Sequence, residues 1–210
     1  MERKVFDMDR ISLKMKAKEQ IQGNIWMLFL IELAIFVVVG AASTITAEMG
    51  GVGGFIIAPA FAISQCLVFL NLAKQIKPQF SDTFEGFDYF GKSLVLYIIM
   101  QVFISLWSLL LIIPGIIKTL SYSMAMFILA ENKEIRPMDA LRESTRIMDG
   151  HKMDYFVLML SFIPWILLSA VTFGIAAIYV IPYMNMTTTN FYLSIKDKPE
   201  AENVSYSTVE

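Results

Sequence analysis

Between Ser93 and Ala130 the chain is almost unbroken apolar sequence, interrupted by one Pro114-Gly115 pair and one charge, Lys118. At about 1.5 Å per residue, an apolar helix needs roughly 20 residues to cross a bilayer. The run is too long for a single crossing and suits two crossings joined by a very tight turn. Composition agrees: 56% of the 210 residues are hydrophobic and 17% are charged, where a soluble domain carries about a quarter charged residues. The charges are bunched in four places and nearly absent between them, as expected when lipid is the solvent for most side chains.

The expected fold class is an all-α integral membrane protein, a six-helix transmembrane bundle with cytoplasmic interfacial amphipathic helices. Residues 1–23 read as a basic interfacial helix, with Leu13, Ala17 and Ile21 at helical spacing and Lys14, Lys16 and Lys18 on other faces. Residues 24–195 form the membrane domain, with spans at about 24–45, 55–73, 93–113, 115–130, 155–171 and 174–195. Residues 196–210 are polar and read as a disordered cytoplasmic tail. The Gly-rich stretch 48–54 is a turn, and Pro59 falls in the early turns of the second span.

Orientation follows from the basic residues. With both termini in the cytoplasm, residues 1–23, 74–92, 131–154 and 196–210 are inside and hold 16 of the 17 Lys and Arg, leaving Lys118 outside. The expected location is the plasma membrane, multi-pass, with a bilayer carrying an anionic inner leaflet as the first partner and another membrane protein as a second. Pro114 and Gly115 then form a minimal outer turn, and Lys118 snorkels from the next helix to the outer headgroups. The competing arrangement places Lys118 deeper, with the fourth segment only partly crossing. An offset of 59 residues overlays Ile76-Lys77-Pro78 on Ile135-Arg136-Pro137, Phe103-Ile104 on Phe162-Ile163, and Gly115-Ile116 on Gly174-Ile175. That pattern suggests a parallel duplication.

Residues 131–154 read as a second amphipathic surface helix. Met138, Leu141, Thr145 and Met148 form its apolar face, and Asp139, Arg142, Glu143 and Arg146 line the rest as a candidate contact surface. Within the membrane, Glu32 is the anomaly, because a carboxylate costs a few kcal/mol there. It reads either as a proton or cation site or as a hydrogen-bonded glutamate against a neighbouring helix; a pair with Lys118 looks too distant. Asn185, Thr188, Thr189 and Tyr192 make a polar stripe on the sixth span, which Gln65, Asn71 and Gln101 are placed to face. The stripe is either a polar pathway or interhelical hydrogen-bonding glue. Pro164 and Pro182 bend the last two spans.

A single cysteine, Cys66, permits no intrachain disulfide, and a single histidine, His151, supports no site needing two imidazoles. Asp139, Glu143, Asp149, His151 and Asp154 read more simply as a charged helix face than as an acid–base cluster. No phosphate-binding loop, nucleophile elbow, zinc-protease motif or dinucleotide fingerprint is present. Catalysis is not expected, nor is a cofactor, a metal or a nucleic-acid partner.

From Leu109 onward, "LLIIPGIIKTLSYSMAMFILAEN", "ALRESTRIMDGHKMDYFVLMLSFIPW", "TFGIAAIYVIPY" and "FY" at 191–192 resemble a bacterial multi-pass membrane family catalogued as domain of unknown function 975. The resemblance covers about residues 10–195. Where that family usually has Gly before the tryptophan of the fifth span, this chain has Pro164. More distantly, the Pro-Gly-Ile block and the polar helix are similar to the membrane portion fused to some glycerophosphodiester phosphodiesterases. The resemblance implies a bacterial membrane protein and supplies no established reaction. The expected role is non-catalytic and accessory, regulatory or envelope-related, through partner or lipid binding. The alternative is a small transporter or lipid-handling protein using the sixth-span stripe; a membrane enzyme ranks last.

Overall fold

The computed structural model describes residues 2–196, and among them every regular element is a helix. The tail expected over 196–210 lies outside the described residues, apart from Lys196. Helix α1 (Glu2–Ile21) is followed by a turn at Gly23, whose φ of 80° leads the chain into α2 (Ile25–Ile45). The apolar stripe of α1 does not lie bare: Ala17 and Ile21 are fully buried, with α10 the main neighbour. The glycine turn is as expected, with Gly50 and Gly51 at φ 77° and 72°. Thr46 Oγ1 stitches it by accepting from the Gly53 N–H at 2.8 Å.

Helix α3 (Val52–Ala73) begins three residues before the expected span. Pro59 therefore sits inside the helix and not in its early turns, and the helix runs through it. The polar segment after α3 is capped by Asp82, whose carboxylate accepts from the Gln79 N–H at 2.8 Å, and winds as a 3-10 helix over Phe80–Tyr89. It is pressed onto α3 so closely that a Cβ on Gly86 would overlap the Ala60 carbonyl oxygen. Phe61 of α3 meets the Phe87 ring edge-on at 5.0 Å.

The long apolar run resolves into α4 (Phe90–Leu110), α5 (Ile112–Tyr122) and α6 (Ala125–Glu131). The reversal is at Leu111, which is extended (φ −160°, ψ 141°), and not at Pro114-Gly115. Pro114 instead occupies the first turn of α5, where a missing N–H leaves no hydrogen bond unmade. Gly115 is where α5 presses on α4, since a Cβ there would overlap the Ser108 side chain. A second break, at Ser123-Met124, separates α5 from α6.

Helix α7 (Pro137–Ile147) is amphipathic as expected, but its buried face is Ala140, Leu141, Ser144 and Ile147. Met148 just beyond the helix is buried with it, Met138 is exposed, and Thr145 is half-buried. The rest of the bundle, mainly α4, α5 and α6, covers that face. The fifth span comes as two pieces, α8 (Lys152–Leu160) and α9 (Ile163–Val171), with Pro164 in the first turn of α9. Phe173 and Gly174, at φ 50° and 88°, lead to α10 (Ala177–Lys196), which continues through Pro182.

Among the described residues, five helical stretches are long and apolar enough to cross a membrane: Ile25–Ile45, Val52–Ala73, Phe80–Leu109, Ile112–Glu131 and Lys152–Val171. The described residues are thus all-helical, with five candidate membrane-spanning stretches. Helix α10 is 20 residues long, but Asn185, the three threonines and Asn190 make it less apolar. It is shielded by the bundle, with Tyr183, Met186, Phe191 and Tyr192 buried. The helix ends around 111 and 172–176 leave Leu109, Ile112, Val171 and Phe173 bare. The core gathers instead around the second half of α3, α6, α7 and the second half of α10.

The 59-residue offset recurs in the element bounds. It carries α3 onto the α5–α6 stretch, Phe80–Tyr89 onto α7, and α4 onto α8–α9, each within about three residues.

Candidate functional site

Glu32 stands in the second turn of α2, on the face turned toward α3 and α10. Gln65 of α3 places its amide Nε2 2.7 Å from both carboxyl oxygens. Asn185 of α10 donates through Nδ2 to Oε1 at 2.8 Å. Three helices far apart in sequence are tied together at one carboxyl group. Glu32 and Gln65 also line a groove of about 990 Å³ between the same helices. Its walls are otherwise apolar, with Phe36, Val39 and Gly40 from α2, Phe61 from α3, and Phe173 and Ile181 from the α10 side. A Cβ on Gly40 would meet nothing within 4 Å, so the groove is open there.

Of the polar stripe, Asn185 alone reaches this carboxyl. Thr188 and Thr189 turn their hydroxyls back to the Met184 and Asn185 carbonyls at 3.0 and 2.9 Å. Those are local bonds within one helix, which a low-dielectric surrounding favours. Gln101 on α4 is half-buried and does not line the groove. Tyr192 joins a separate cluster at the other end of α10, where its hydroxyl and Lys196 Nζ both donate to Glu131.

Lys118 makes no pair with Glu32. Its ammonium lies over the Trp107 ring at 5.4 Å and the Tyr122 ring at 5.8 Å, beside the Leu111 reversal and the Pro114-Gly115 turn of α5. On α7 the charges pair locally. Asp139 faces Arg136 and, at 3.8 Å, Arg142; Glu143 accepts from Arg146 at 2.6 Å. That Arg146 hydrogen bond holds the Glu143 carboxyl below its ordinary value. Asp149 meets Lys152 at 3.2 Å and His151 meets Asp154 at 3.4 Å, so these acids do not converge on one centre.

Sequence reasoning missed three groups. Ser144 of α7 is fully buried and bridges the α5–α6 break: its hydroxyl donates to the Ser121 carbonyl at 2.8 Å and accepts from the Met124 N–H at 3.2 Å. Asn190 reaches across to α1, donating to Gln20 at 2.8 Å. Lys14 donates to Ser161 and lies 4.5 Å from the Phe162 ring centre, fastening α1 to the α8–α9 break. Burial pushes the Lys14 ammonium down, with Lys18 and Arg10 adding like charge. A lysine in a sequence carries no mark of which ring it will cover. The polar Asn190, next to Thr189 of the stripe, was the one available signal.

No curated protein and no solved structure matches the chain. The more distant similarity to the membrane portion of glycerophosphodiester phosphodiesterases therefore finds no support. The family described as a protein of unknown function (DUF975) matches residues 8–121 and 109–199. Those two matches run through the spans, the clamp on Glu32 and the groove, and the chain belongs to that family.

Proposed function

We propose that this is a non-catalytic, multi-pass membrane protein that binds a lipid-like ligand in the lateral groove between α2, α3 and α10. The groove carries the reading. A cleft of about 990 Å³ with apolar walls and one convergent polar cluster has the make-up of a ligand site. In this reading α10 is a sixth span, its polar residues tolerated because the bundle shields them. Both termini lie in the cytoplasm, the membrane is the plasma membrane, and the anionic inner leaflet meets the basic segments. The distribution of 16 of 17 basic residues supports that orientation. The contacts on α7 support a second reading beside it. Arg142, with 76% of its side chain exposed, offers a charged surface for another membrane protein, and charge reversal at Arg142 and Arg146 would remove such a partner from a pulldown.

Photolabelling tests the groove. A diazirine-tagged long-chain alcohol in vesicles should label peptides of α2, α3 and α10. Gly40→Trp fills open space and replaces a mid-helix glycine, so it leaves the fold intact and should reduce labelling about fivefold or more. Equal labelling of the variant, or label spread evenly over all lipid-facing helices, overturns the reading.

A further inference from the structure

A groove that binds a lipid-like ligand must also select a headgroup, and the selectivity argued from Glu32 rests on that reading of the groove. Glu32 lies about 10–12 Å along α2 from its first residue. Among the described residues it is met by two neutral amides, and none of those lining the groove is Lys, Arg or His. Both amides turn N–H groups toward the carboxyl. Amide donors aimed at both oxygens favour the acceptor-only carboxylate, and Oε2, which accepts one of them where Oε1 accepts two, keeps lone-pair capacity. A protonated acid would offer an O–H donor into a groove whose other walls are hydrocarbon. Phe29, Phe36, Phe61 and Phe173 line the same groove, and aromatic faces attract ammonium groups.

We propose that the groove selects an amphipathic primary amine. The ammonium head is held by Glu32 between the Gln65 and Asn185 amides, and the alkyl tail lies along Leu33, Phe36, Val39 and Ile181. A neutral amphiphile of equal length fills the same walls without the ion pair. An anionic one places like charge against an unneutralised carboxylate in low dielectric and is rejected.

The test uses the purified full-length protein in uncharged-lipid nanodiscs, with dodecylamine and dodecanol competing against the photolabel at pH 7. In the unaltered protein dodecylamine should compete at about tenfold lower concentration than dodecanol, a difference one partly desolvated ion pair supplies. Glu32→Gln should bring the two probes level. Equal competition by both probes in the unaltered protein overturns the amine selection while leaving the groove as a site. That comparison needs no variant, so a failure of Glu32→Gln to fold does not shield the proposal. A dodecylamine preference that survives Glu32→Gln also overturns it. Failure of both probes to compete removes the ligand-site reading itself.

Discussion

Val52–Leu110 and Ile112–Val171 repeat one order of elements, an apolar crossing, a polar segment laid on it, then a second crossing. They treat the backbone differently. In the first, α3 runs unbroken and the polar segment, a 3-10 helix, approaches it backbone to backbone at Gly86. The Gly86 N–H is satisfied by Ser64 Oγ of α3 at 2.8 Å. In the second, the crossing is split at Ser123-Met124, and the serine comes from the other partner, Ser144 of α7. Freed backbone groups have no water to turn to in a membrane interior and are tolerated only where protein supplies the partner. The comparison teaches that the break in α5–α6 is held from outside by one hydroxyl, whereas α3 needs no such support and spends its serine on docking the next segment.

The largest test of that contrast is steric. Gly86→Leu drives a side chain into the Ala60 carbonyl oxygen and Ser64, with backbone atoms that cannot yield. A loss of about 3 kcal/mol or more is expected. The residue 59 positions on, Thr145, is half-buried. Thr145→Leu should change stability by less than about 1 kcal/mol. Thermal unfolding of both variants in detergent measures the pair, and equal tolerance would dissolve the distinction between the two units.

The hydroxyls come next. Ser144→Ala strands the Met124 N–H and the Ser121 carbonyl at a buried break and should cost about 2 kcal/mol. Ser64→Ala strands one N–H, that of Gly86, since Ala60 is within a helix, and should cost about 1 kcal/mol. Denaturant titration followed by fluorescence ranks them. The reverse order would mean that the α5–α6 break is held by packing alone.

Much of this architecture was legible because lipid imposes a simple code of apolar length, glycine turns and sorted charge. Glu32 stood out for the same reason, and Gln65 and Asn185 with it, since amides in apolar runs are themselves expensive. The finer features depend on approach distances that composition does not encode. Leu111 makes the reversal because α5 must fold back tightly on α4 over Gly115 and Ser108, and a proline fits the turn after the reversal as well as the turn itself. The buried face of α7 is built on the small residues Ala140 and Ser144, which carry less hydrophobic signal than Met138. The groove was invisible because Gly40, Phe61, Phe173 and Ile181 come from segments far apart and matter through what they leave unfilled. Helix α10 illustrates the limit of hydropathy: a helix sheltered by others is free to be polar.

The smallest expected effect lies on the outer face of α7, where the second unit differs from the first in pairing its acids with arginines. The matching segment of the first unit carries Asp82, Glu85 and Asp88 with no arginine among them. Glu143 and Arg146 are 39% and 59% exposed, so solvent screens their attraction and Glu143→Gln should cost no more than about 0.5 kcal/mol at pH 7 and low salt. The Glu143 carboxyl is held below its unfolded value by Arg146. Its contribution is therefore present above that unfolded value and is lost as pH falls through the folded one. Melting temperatures of the parent and Glu143→Gln should differ slightly at neutral pH, converge on acidification, and converge also when salt is raised. A gap that persists in acid would place the origin of the difference in packing, and α7 would then resemble its first-unit counterpart more than its charges suggest.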